Sequence, residues 1–104
     1  MILHSVYLGV RPDAADSELA AVMDGLASLV GQIDGFARFD HGPNIDAEGK
    51  SPEASYGFLC SFRDRAALDR YAEDNRHRAF GAQLVALCGG ADRIKVYDIE
   101  SAVT

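Results

Sequence analysis

Hydrophobic spacing along this chain switches four times between a period of two and a period near 3.6, and few folds accommodate that order. Met1 to Val10 alternates, with Ile2, His4, Val6, Leu8 and Val10 on one face and Leu3, Ser5, Tyr7 and Gly9 on the other. That is the pattern of a β-strand, with enough apolar weight on the second face to imply partial burial there too. Pro12 ends it, because proline has no amide hydrogen to give a ladder. Leu19, Val22, Met23, Leu26, Leu29, Val30 and Ile33 then share one helical stripe. Asp13 or Asp16 can cap this helix, and Asp34-Gly35 is a left-handed stop signal.

Phe36 to Gly42 reads as a second strand, with Phe36, Arg38 and Asp40 opposing Ala37, Phe39 and His41. The segment Gly42 to Ser55 (GPNIDAEGKSPEAS) holds two prolines and two glycines without periodicity, so it reads as a long mobile loop. Tyr56 to Phe62 forms a third strand with Tyr56, Phe58, Cys60 and Phe62 on one face. Asp64 caps a helix carrying Leu68, Tyr71 and Ala72, and the polar step Asp74-Asn75-Arg76 bends or breaks it. Helix resumes near His77 with Phe80, Leu84 and Leu87 on one side, and ends at Gly89-Gly90. Arg93 to Glu100 gives a last strand. The order is β-α-β-β-α-β, the α+β ferredoxin-like pattern. Right-handed crossovers then place both helices on one face of an antiparallel sheet. The other face keeps apolar groups that a lone copy would leave wet, which implies a partner. A homodimer with facing sheets would cover it.

The 104 residues form one domain, 1–104, and 48% apolar with 25% charged residues is ordinary for a globular chain. Disorder is expected only in the tail and the long loop. The sequence contains no run of about 18 apolar residues to span a membrane. The opening ILHSVYLGV lacks the basic stretch of a signal peptide, so a cytoplasmic protein is expected. Cys60 and Cys88 are too few and too scattered for a disulfide scaffold and read as buried free thiols. A net charge of −6 disfavours nucleic acid. The five arginines between Arg63 and Arg78 are interspersed with four acids, which fits helix ion pairs rather than a phosphate-binding patch.

Reactive side chains concentrate between Tyr56 and Gly90. A His77 imidazole, which titrates near pH 6.5 when unperturbed, can take a proton from a carbon acid beside a carbonyl. Tyr71 can donate a hydrogen bond to the enolate oxygen that develops. Their separation of six does not share one helical face, but a break at Asp74-Asn75 lets both converge. His4 falls on the core face of its strand, where a buried polar group needs partners. His41 and Asp40 have no ligand spacing around them, so no metal site is expected. The chain has no Ser/His/Asp elbow, phosphate loop or dinucleotide fingerprint, and no cofactor is expected.

Taken in order, several segments resemble the stress-responsive A/B barrel (Dabb) family of dimeric α+β barrels. They are the histidine in ILHSVYLGV, the loop IDGF, the GPNIDAEGKSP loop before an aromatic strand, FRDRAALDRYAEDNRHRAFG, and the final strand KVYDIE. The most specific part is the Leu-x-x-Tyr-x(5)-His spacing of Leu68, Tyr71 and His77. The resemblance implies a ferredoxin-like protomer paired into a homodimeric α+β barrel. Most members have no established activity, and a few relatives are cofactor-free polyketide cyclases that use a tyrosine and histidines for an aldol condensation. By position, His4, Tyr71 and His77 match those residue types. Tyr56 stands where such cyclases carry a histidine, and Asp74-Asn75-Arg76-His77 lacks the first histidine and the proline of their His-Pro-x-His run. No cyclization of the plant polyketide kind is therefore expected.

Three readings follow. The first is a cofactor-independent lyase, cyclase or isomerase acting on a small hydrophobic carbonyl compound. In it His77 is the base, Tyr71 the electrophilic donor and His4 an orienting partner, with Tyr56, Phe58, Phe62, Leu68, Phe80 and Leu84 lining the substrate. The second is a non-catalytic, stress-related dimer that binds a hydrophobic ligand or has a filled interior. The third is a cofactor-free monooxygenase on the same architecture.

Overall fold

A computed structural model describes residues 1–102, so the expected loose tail lies in part outside the described residues. Four strands, β1 (Ile2–Leu8), β2 (Phe36–Pro43), β3 (Tyr56–Phe62) and β4 (Ile94–Glu100), form one sheet in the order β2-β3-β1-β4. Every neighbouring pair is antiparallel. Helices α1 (Asp16–Ala27), α2 (Arg65–Glu73) and α3 (Asn75–Cys88) complete the ferredoxin-like α+β fold, with a short 3-10 turn at Ala91–Arg93. One core joins sheet and helices: Ile2, Val6 and Leu8 of β1 and Phe58, Cys60 and Phe62 of β3 are buried with Val22, Met23, Leu26, Leu84 and Leu87. Burying one such aliphatic or aromatic side chain stabilises a fold by roughly 1.5–3 kcal/mol. Among the described residues no helix is long and apolar enough to cross a membrane.

The first helix is shorter than its apolar stripe. α1 stops at Ala27, where the Ser28 hydroxyl bonds back to the Gly25 carbonyl at 2.6 Å. Leu29 and Ile33 are still buried, but they reach the core from tight turns that pass through Gly31 at φ 77. A period of 3.6 continues across that turn by coincidence of spacing. Neither Asp13 nor Asp16 caps the helix: the N-cap is Ala15, without a side-chain bond, and Asp16 stands in the first turn. There its charge suits the positive end of the helix dipole. The turn is tied to the β3–α2 link by Arg63, whose guanidinium donates to both Asp34 carboxylate oxygens at 3.2 Å, and to α2 by Arg70, which donates to the Asp34 carbonyl.

β2 also departs from strict alternation. Phe36 pairs with Phe62 and Arg38 with Ser61, so Ala37 is an extra residue in a β-bulge. The bulge puts Phe36 on the same face as Phe39 and His41, and Phe36 is 1% exposed. The loop after β2, expected to be mobile, carries a network of side-chain hydrogen bonds. The Asn44 amide donates to Ser51 and to the Ala54 carbonyl. The Asp46 carboxylate accepts from the Glu48, Lys50 and Ser51 amides and from the Ser51 hydroxyl. Asx-type side-chain bonds of this kind replace the ladder that the loop's composition denies it.

Candidate functional site

Tyr71 and His77 belong to different helices. Asp64 opens α2 by accepting the Ala67 N–H at 2.9 Å, and Asp74, in extended conformation (φ −69, ψ 128), closes α2 and opens α3. Its carboxylate accepts the Arg76 N–H at 2.9 Å and the Arg76 guanidinium at 2.7 and 3.0 Å. These bonds, the guanidinium's first, hold the Asp74 carboxyl down to about 2. The break resets the helical phase, and the Tyr71 and His77 rings stack with centroids 3.9 Å apart.

Beneath Tyr71 runs one row of the sheet. His4 is the cross-strand partner of Cys60 on one side and of Asp98 on the other. The His4 ring meets Tyr71 edge-on at 5.6 Å, and its Nδ1 lies 2.5 Å from the Asp98 carboxylate. A carboxylate only accepts, so it is Nδ1 that carries the proton of this bond, and Nε2 faces away from Asp98. The Cys60 thiol donates toward the Tyr71 hydroxyl at 3.9 Å, and the Phe36 and Phe62 rings flank Tyr71 at 5.3 and 5.0 Å.

The environment assigns proton roles. Burial pushes the Tyr71 phenol well above its ordinary range, so it stays protonated and keeps a hydrogen to donate. Burial likewise pushes the Cys60 thiol up to about 12, which removes it as a nucleophile. His77 is lowered from its usual value, again chiefly by burial, with the Ala72 backbone partly opposing the effect and the nearby His4 adding to it. Its Nδ1 is buried and has no hydrogen-bond partner among the described residues.

Three of the residues read from the sequence, His4, Tyr71 and His77, thus stand in one contiguous cluster. Phe62 touches it. Phe58 and Leu84 belong to the close-packed core, and Leu68 is half-buried against that core. Phe80 packs across α1, where its ring would lie 2.3 Å from a Cβ at Gly25. Tyr56 is not brought to the cluster: it lies four residues along β3 from Cys60, roughly 13 Å by strand geometry, and its hydroxyl is 2.6 Å from His41 Nδ1. Asp98 is the residue that the sequence does not reveal. Its only signal there is that it shares a strand face with Ile94 and Val96, and register alone puts it beside His4. Among the described residues no three His, Cys, Asp or Glu side chains gather to hold a metal ion.

A four-stranded antiparallel sheet backed by helices, with a Tyr–His stack between the layers and a His–Asp pair at their open edge, defines a ferredoxin-like α+β protein. The chain belongs to the stress responsive A/B barrel domain family, which it matches over residues 2–101. It is similar to a protein from Jannaschia sp. CCS1 described as dimeric, ferredoxin-like and of unknown function, at 42% identity and TM-score 0.90, covering 96% of this chain and 98% of that one. The Arabidopsis thaliana protein At3g17210 shares the fold at 18% identity and TM-score 0.83, over 100% of this chain and 98% of the other. So does a hydroxynitrile lyase from Passiflora edulis, at 10% identity and TM-score 0.79, over 99% and 96%. No curated protein matches the chain significantly.

Proposed function

We propose that this protein is a homodimeric, cofactor-independent acid–base catalyst acting on a small carbonyl compound, by lyase, cyclase or isomerase chemistry. The observation that carries this reading is the His77 ring, whose buried Nδ1 has no hydrogen-bond partner among the described residues, stacked on the buried phenol of Tyr71. His77 takes a proton from carbon, and the electron pair moves onto the carbonyl oxygen, where the Tyr71 hydroxyl donates to it. Asp98 holds His4 in one tautomer, as a carboxylate does for a catalytic imidazole elsewhere. Substrate enters at the His4–Asp98 end, where the two side chains are 13% and 45% exposed. A relative that is 42% identical is dimeric, and Tyr7, Tyr97 and Ile99 stand exposed on the helix-free face of the sheet, which supports a homodimer here. The two buried free thiols fit a reducing compartment such as the cytoplasm.

The test is independent of the substrate's identity. Small ketones, β-keto acids and aldehydes are incubated with the protein in deuterated water, and exchange of the α-protons is followed by NMR. The wild-type protein should accelerate exchange for at least one class, and Tyr71→Phe and His77→Gln should each lower the rate by about 10- to 1000-fold. Exchange no faster than with a chain carrying both Tyr71→Phe and His77→Gln, across the panel, would sink the catalytic reading. The second reading, a non-catalytic ligand-binding dimer, would then stand. It is favoured by the close packing of Tyr71, which is 1% exposed between Phe36 and Phe62.

A further inference from the structure

The face of the sheet away from the helices is not flat. Gly42 of β2 and Gly57 of β3 are cross-strand partners, so the sheet there has two adjacent positions without side chains. Around them lies a groove of about 780 Å³. Strand alternation sets Tyr7, Leu59, Asp40 and Tyr97 on its floor and sides, and the loop after β2 adds a wall at Ser51 to Ala54. The Tyr7 ring lies over Gly57, 3.2 Å from where a Cβ would stand, whereas a Cβ at Gly42 would meet nothing within 4 Å. The socket is open at Gly42.

Three residues beyond Gly42, Ile45 is 87% exposed, the most exposed of the large apolar side chains among the described residues. It is not displayed by a slack loop. Asn44 on one side and Asp46 on the other are both fixed by side-chain hydrogen bonds, and the Asn44 side chain also accepts from the Asp46 amide at 2.9 Å. The turn's hydrogen bonds thus hold an isoleucine whose side chain is left almost wholly to solvent in its own protomer. Ile45 follows Asn44, which lines the groove, in the same loop that walls it, so a two-fold axis near the loop could bring each isoleucine to the other copy's groove. In an isologous contact, if residue i of one copy meets j of the other, then j meets i.

We propose that Ile45 of each protomer docks in the Gly42–Gly57 groove of a second copy, and that this reciprocal contact sets the register of the dimer. The inference rests on the homodimer proposed above and adds which surface meets which. Gly42 leaves room for a branched side chain, and the Tyr7 ring over Gly57, itself 6.1 Å from the Tyr97 ring, supplies an apolar wall. Charge on the loop and the groove rim is mixed, with Lys95 and Arg93 beside Asp40 and Glu53, so the contact is not repelled by the chain's net acidity.

Sedimentation equilibrium on the wild-type protein, Gly42→Leu and Ile45→Ser tests it. The wild type should be dimeric at micromolar concentration. Each variant should raise the dimer Kd at least tenfold while its far-UV circular dichroism is unchanged, since neither site packs against its own protomer. Copies carrying Ile45→Cys should also form an interchain disulfide when mixed with copies carrying Leu59→Cys. A dimeric wild type with unaffected variants and no cross-link would overturn the docking scheme and leave the homodimer standing on another surface. A monomeric wild type would overturn both. If that monomer bound an apolar dye and Gly42→Leu abolished the binding, the groove would belong to a small ligand instead.

Discussion

His77 is costly to charge where it stands. Its imidazole is lowered below the usual value of 6.5 by burial, while in the unfolded chain it titrates normally. Above about pH 6.5 both states are neutral and the group contributes no pH dependence. As the pH falls through 6.5 the unfolded chain binds a proton that the folded one refuses, so stability declines until the lowered folded value is passed. Melting temperature measured from about pH 8 to pH 5 should therefore fall more steeply for the wild type than for His77→Gln. If His77 is the base, the rate of α-proton exchange should hold down to about pH 6.5 and fall only at lower pH. A matching melting profile in the variant would remove burial as the cause of the shift. At this scale the sequence was legible in residue types and poor in contacts. His4, Tyr71 and His77 could be named because their order along the chain resembles a family's. Asp98 could not, because its place beside His4 depends on which strand lies next to β1.

Elements were legible wherever local rules decided them. Asp64 caps α2 as its position implied, and Gly89, at φ 80, ends α3. The departures have tertiary causes. α1 ends at Ala27 although its apolar stripe runs on, because the chain must turn through Gly31 to reach β2. Phe36 changes face because Ala37 is bulged, and a period of two cannot register an extra residue. The glycine within α1 offers a test of packing against propensity. Alanine is preferred to glycine in a helix interior by about 1 kcal/mol. A Cβ on Gly25, however, would stand 2.3 Å from the Phe80 ring, so α3 or the ring must shift. Gly25→Ala should lower stability to urea by about 1–3 kcal/mol, the range for overpacked sites. Phe80→Leu in the same chain should recover part of the loss. An alanine variant more stable than the wild type would show that propensity prevails there.

At the scale of the whole molecule, the acidic chain has covered one sheet face with helices and left the other wet. Burial of Ile2, Val6 and Phe58 beneath the helices was readable from alternation. The groove on the far side was not, because Gly42 and Gly57, far apart in the chain, become neighbours only in the sheet. If that face is shared between two copies, folding and association are linked, and the melting temperature should rise with protein concentration. A melting temperature constant over a wide concentration range would mean that each copy is stable alone. The same long view applies to the His4–Asp98 bond, which joins residues 94 positions apart. Within β4 only Ile94 is half-buried and the other residues are exposed, so the strand that delivers the carboxylate adds little to the core. Fraying of that strand alone would strip His4 of its partner while the helices and the central strands stay folded, since local opening takes the least buried segments first. The His4–Asp98 contact can thus be lost in a sub-global fluctuation far smaller than unfolding.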